Sequence, residues 1–93
     1  MRLLRRMGRR RGSPVSILLY ERPGCHLCDD AEQLLLRLGR RYPLTLQKID
    51  ITTDPDLVRR FDVRIPVIVV AGALELDAPI DARSLEQALK TAN

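Results

Sequence analysis

Glu21-Arg22-Pro23-Gly24-Cys25-His26-Leu27-Cys28 is the stretch whose reading decides the fold. It follows an apolar run, Val15-Ser16-Ile17-Leu18-Leu19-Tyr20, and leads into Ala31, Leu34, Leu35 and Leu38, spaced as one face of a helix. A strand, a Pro-Gly turn and a helix are therefore expected in that order, with two cysteines at the junction. Two cysteines separated by two residues at such a junction read as a dithiol redox motif. The N-terminus of a helix carries unpaired N–H groups and partial positive charge. Both favour a thiolate over a thiol, and the thiolate is the reactive species. Cys25, at or just before the N-cap, is the expected nucleophile. Cys28 is one turn further on, partly shielded and close enough to close a disulfide as the resolving thiol. Arg22 adds a cation upstream, whereas Asp29 and Asp30 compete for the same helix end. His26 either assists the thiolate as an imidazolium or proton shuttle, or is simply exposed beside it. A closed zinc site takes four ligands, and Cys25, His26 and Cys28 give at most three, so no metal is expected.

Working outward, the chain alternates between strand and helix signals. The expected elements are a strand over 15–20 and a helix over 25–40 with Leu27, Ala31, Leu34, Leu35 and Leu38 inward. Gly39 and Pro43 end that helix. Residues 44–50 alternate as a half-buried strand. Thr53-Asp54-Pro55 carries an N-cap followed by Pro in the first turn of a short helix, with Leu57, Val58 and Phe61 inward. Pro66 to Val70 reads as a buried strand, Ala71-Gly72-Ala73 as a hairpin turn and Leu74-Glu75-Leu76 as the return strand. Asp81 caps a last helix near 82–91, with Leu85, Ala88 and Leu89 facing the core. The order β-α-β-α-β-β-α implies a four-stranded mixed sheet with helices on both faces: the first βαβ unit is parallel and right-handed, and the last two strands form an antiparallel hairpin.

Composition narrows the classes. The 93 residues fit one domain, and with 45% hydrophobic but only 3% aromatic residues its core must be aliphatic. No apolar run approaches the ~20 residues of a membrane span, and no segment resembles the apolar core of a secretory signal. A CxxC without such a signal points to a reducing, cytoplasmic setting. The charge is unevenly placed. Residues 1–12 hold six arginines and no acid, which leaves −2 on the rest of a chain whose total is +4. Residues 1–14 are therefore expected to form a disordered basic arm and 15–93 the folded domain. The arm reads either as a solvated tail or as a contact for an acidic partner. The acidic body and scarce aromatics count against nucleic acid. No membrane contact is expected, and a monomer is.

With these residues in view, the chain resembles the thioredoxin superfamily, and within it the glutaredoxin-like branch. Three features carry the likeness: Cys25-His26-Leu27-Cys28 between strand and helix, Ile49 to Leu57 as second strand and second helix, and Val63-Arg64-Ile65-Pro66-Val67-Ile68. Gly24-Cys25-His26-Leu27-Cys28-Asp29-Asp30-Ala31 is most similar to small glutaredoxin-like domain proteins. The resemblance implies a thioredoxin-like α/β fold with Ile65–Pro66 as the cis-proline peptide packed against the dithiol. It implies that Ile65 presents its backbone N–H and C=O to an extended substrate. It suggests Arg22 and Arg64 as partners for glutathione carboxylates, the alternative being that each is a solvated charge. Some glutaredoxins share a metal cluster between subunits, a minor alternative here.

The chain also departs from the pattern. His26-Leu27 stands where glutaredoxins carry Pro-Tyr, and Asp77-Ala78-Pro79-Ile80-Asp81 stands where a Gly-Gly and acidic pair would hold glutathione. The implied activity is thiol–disulfide exchange on protein disulfides or glutathione mixed disulfides. No cofactor is required, and a reductase or glutathione would supply electrons. The alternative is a thioredoxin-fold binding module with little redox activity, recruiting its partner through the arm or a sheet edge.

Overall fold

The structure, a computed structural model, describes residues 13–93. The arm expected at residues 1–14 thus lies almost wholly outside the described residues. The elements are β1 (Val15–Glu21), α1 (His26–Leu38), β2 (Leu44–Asp50), a 3-10 turn at Ile51–Thr53, α2 (Pro55–Phe61), β3 (Val67–Val70), β4 (Leu74–Asp77) and α3 (Ala82–Ala92). The four strands lie in the order β2-β1-β3-β4. β1 and β2 are parallel, with Val15 opposite Leu44 and Glu21 opposite Asp50. β3 is antiparallel to both β1 and β4.

Strand side chains alternate between faces, so register decides which residues share a core. Ile17 pairs with Val70 and Leu19 with Ile68. These four meet Ala31 and Leu35 of α1 and Leu85, Ala88 and Leu89 of α3 in the larger core cluster. Tyr20 pairs with Val67 and points the other way, into a second cluster with Ile51, Leu57, Val58 and Phe61 around α2. Helices therefore cover both faces of the sheet. The rings of Tyr20 and Phe61 stack with centroids 4.4 Å apart.

Local chemistry explains where the helices begin. The Asp54 carboxylate accepts from the N–H of Asp56, and Pro55 fills the first turn of α2, where its missing N–H costs nothing. Asp81 accepts from the N–H and the hydroxyl of Ser84 at 3.1 and 2.8 Å. These bonds hold its carboxyl below the usual range. Between β3 and β4, Ala71 and Gly72 both take positive φ, 55° and 68°, and Ala73 donates its N–H to Val70 at 3.0 Å. Two left-handed residues in succession make a turn whose twist matches the flanking strands. The peptide bonds Ile65–Pro66 and Ala78–Pro79 are cis.

One inward assignment is corrected. Leu27 is 58% exposed. The buried stripe of α1 runs through Cys28, Ala31 and Leu35, steps of three and four residues that keep to one face. Leu27 lies one residue off that stripe, and Cys28 holds the inward position instead. Leu36, at 50% exposure, lies on the outer face. Replacing the fully buried Leu35 by Ala is expected to cost about 2–5 kcal/mol, whereas Leu36→Ala should stay within roughly 0.5 kcal/mol; urea denaturation of the two variants checks the difference.

Candidate functional site

The site is built where β1 hands over to α1. Gly24 takes φ 77°, a left-handed conformation in which any other residue would be strained although the space beside it is open. That turn delivers Cys25 as the N-cap of α1, in extended backbone at φ −93° and ψ 107°. Its carbonyl accepts the first helical N–H, from Asp29, at 3.0 Å. Its Sγ accepts the N–H of Cys28 at 3.1 Å, the place a Ser or Asp oxygen takes in an ordinary N-cap. The sulfur therefore sits in the ring of unpaired donors at the helix end.

Cys25 and Cys28 are joined as a disulfide, with their Cα atoms 5.2 Å apart. Their exposure differs sharply. Cys28 has no accessible surface and packs with Ile51, Phe61, Ile65 and Val67, while Cys25 is half-buried at the rim of the same cluster. Cys28 was expected to be partly shielded; being on the stripe that faces the sheet, it is shielded fully.

Ile65 shares that buried cluster, so the structure brings the proline segment and the dithiol together. Pro66 is fully buried as a residue, yet it lines a pocket of about 290 Å³ with Leu27, Ala31, Leu34, Pro79 and Ile80, bordered by Asp30 and Arg37. The N–H of Ile65, expected to be open to a substrate, already donates to the carbonyl of Phe61 at 3.0 Å.

The two arginines expected at glutathione carboxylates are engaged within the chain. Arg22 pairs with Asp62 at 2.6 Å. Arg64 reaches Glu75 at 2.8 Å and Asp77 at 3.0 Å, and its guanidinium lies 5.3 Å from the centre of the Phe61 ring. Its carbonyl also accepts from Ala78, which ties the segment before Pro66 to the end of β4. His26 is the first residue of α1 and is exposed. Among the described residues, no three His, Cys, Asp or Glu side chains gather as a group that could hold a metal ion.

The sequence reading passed over Glu21. Placed in the turn, it is in fact the last residue of β1. Burial raises its carboxyl above the usual range; Lys48 opposes this, and Glu32, Asp29 and Asp50 add to it. Lys48 in turn is held charged by its hydrogen bond to Glu32 at 3.2 Å, with Glu21 adding to the effect. The pocket beside Pro66 was missed as well. Leu27 was assigned to the core, and the loop Ala78-Pro79-Ile80 carried no pocket signal of its own.

A mixed sheet with a disulfide-forming CxxC at the start of its first helix defines a dithiol protein of thioredoxin-like fold. Residues 16–90 match the model of the family described as Glutaredoxin-like domain (DUF836), and the chain belongs to that family. Among solved structures, protein XcR50 from X. campestris is 32% identical, covering 83% of this chain and 99% of its own, with a TM-score of 0.71. Protein Ne2328 from Nitrosomonas europaea is 26% identical, covering 87% of this chain and 96% of its own, with a TM-score of 0.72. Mitochondrial thioredoxin 3 from Saccharomyces cerevisiae, in its oxidized form, is 21% identical over 83% of this chain and 77% of its own, with a TM-score of 0.64, a likeness of fold. No curated protein sequence matches the chain.

The difference in exposure has a direct chemical readout. In the reduced native protein, iodoacetamide should label Cys25 and leave Cys28 unlabelled until the protein is unfolded. Peptide mapping of a time course checks this, and equal labelling of both thiols would contradict the burial of Cys28.

Proposed function

We propose that the protein is a thiol–disulfide oxidoreductase in which Cys25 is the nucleophile and Cys28 the resolving thiol. The observation that carries this reading is the pairing of an N-cap sulfur, half-buried and bonded to a helix N–H, with a second sulfur fully buried within disulfide reach. In the reduced state the Cys25 thiolate attacks one sulfur of a substrate disulfide. A Cys25–substrate bond forms, the substrate S–S bond breaks, and one substrate thiolate leaves and takes a proton. Cys28 then loses its proton and attacks Sγ of Cys25. The intramolecular disulfide forms, and the second substrate thiol is released. Two electrons pass from the dithiol to the substrate, and an external dithiol or two molecules of glutathione restore it.

The helix N-terminus stabilises the attacking thiolate of Cys25 and its charge as a leaving group. Packing keeps Cys28 from reacting with bulky disulfides before Cys25 does. His26, exposed at the first position of α1, is the group beside Cys25 suited to pass a proton to a departing thiolate. Pro66 and the Ile65 carbonyl form the wall along which an extended substrate lies, and the pocket bounded by Leu27, Pro79 and Ile80 receives its neighbouring side chain. Arg22 and Arg64 brace the loops on either side and do not contact substrate directly. Protein disulfides fit this surface better than glutathione, because the two cations assigned to glutathione carboxylates are committed to Asp62, Glu75 and Asp77.

The test is trapping. Cys28→Ser should accumulate a covalent mixed disulfide at Cys25 when offered a disulfide-bonded peptide, and wild type should turn the same peptide over. Cys25→Ser should do neither. Intact-mass spectrometry reads the adduct. Failure of Cys28→Ser to form any adduct would remove the oxidoreductase reading in favour of a binding module.

A further inference from the structure

A second groove, of about 760 Å³, runs between β4 and α3 and shares no lining residue with the pocket at Pro66. Its walls are largely apolar: Val70, Leu74 and Leu76 from the hairpin, and Ala88 and Ala92 from α3. The alanines leave the helix side shallow, which is what makes the groove. Val70 and Ala88 are core residues, whereas Leu74 remains 46% exposed. The groove is therefore the open flank of the larger core, alongside β4, an edge strand of the sheet described.

The position of β1 says what can reach it. β1 and β4 are each antiparallel to β3, so they run in the same direction. The start of β1 thus lies at the same end of the sheet as Leu74. Ala71, which lines the groove, donates its N–H to the carbonyl of Ser16 at 2.8 Å. Twelve residues precede the described part of the chain, and they join it at Ser13, just before β1 and so toward this end of the sheet. They lie outside the family match, which starts at residue 16. Their apolar side chains are Met1, Leu3, Leu4 and Met7, set among six arginines. The four residues of β4 extend about 13 Å at ~3.3 Å per residue, and the six steps from Ser13 back to Met7 span up to about 20 Å. The segment is long enough to run the length of the groove. The body it would lie on carries net charge −2, opposite to its own +6; the groove lining itself holds one charge of each sign, Asp81 and Arg83.

We propose that residues 1–12 dock in this groove of their own chain. Leu3, Leu4 and Met7 lie on the floor formed by Leu74, Leu76 and Ala88, and the arginines lay their stems along the rim with their charges in water. Tethering at Ser13 makes the event intramolecular, so a segment too short to bind as a separate peptide can still occupy the site.

Isotope-edited NMR on the full chain tests this, with the dithiol reduced. The expected result is NOEs from methyl groups of Leu3, Leu4 or Met7 to those of Leu74, Leu76 or Ala88 within one molecule. The combined variant Leu3→Ser, Leu4→Ser, Met7→Ser should lose them and shift the amide signals of residues 73–77. The wild-type NOEs carry the test, so it does not depend on the behaviour of the variant. Absence of these NOEs overturns the proposal. So does finding them only between molecules in a mixture of labelled and unlabelled protein, which would make the occupant a second copy.

Discussion

The seating of α1 on the sheet is the constraint on which the site depends. Cys28, Ala31 and Leu35 form one buried stripe, and each has at most 3% of its surface exposed. Moving along the helix by a single residue rotates a side chain by about 100°, out of the stripe. Seating that stripe therefore turns the second cysteine inward, against Ile51, Phe61, Ile65 and Val67. The first cysteine lies just outside the helix, in extended backbone, where the same packing leaves it at the surface. The asymmetry that thiol–disulfide exchange requires is a consequence of how an amphipathic helix meets a sheet.

Around that helix, two arginines act as struts. Arg22 in the turn before Cys25 reaches Asp62 just beyond α2, forty residues away in sequence. Arg64, two residues before Pro66, reaches both Glu75 and Asp77 on β4. Each is a substantially exposed pair, and such pairs contribute only about 0–1 kcal/mol. Their consequence is positional, since they hold the turn before the CxxC and the segment before Pro66 against neighbouring elements. A pocket lined by Leu27, Pro66, Pro79 and Ile80, with Asp30 and Arg37 at its border, opens beside that segment.

Much of the architecture was legible because its signals are local. Apolar spacing, the Asp54 and Asp81 caps, Pro55 in a first turn and Ala71-Gly72-Ala73 between two strands each report on a few neighbouring residues. They place every element to within a few residues. Leu27 was misassigned because a face read from leucines alone admits two rotations of the helix, and the inward position belongs to a cysteine. The site residues missed or revised share another cause. The partners of Arg22 and Arg64 and the burial of Glu21 join segments distant in sequence. No periodicity encodes them; they exist only once the sheet order β2-β1-β3-β4 has brought those segments together.

The central claim is that this fold holds Cys25 and Cys28 as a working redox pair. Equilibrating the wild-type protein across a series of dithiothreitol redox buffers, and weighing it after rapid alkylation, tests that claim most directly. The account predicts a single two-electron transition between a doubly alkylated form and a form with a Cys25–Cys28 disulfide, at one defined potential and independent of protein concentration. Two thiols that stay free across the whole range, or that form only intermolecular disulfides, would contradict it.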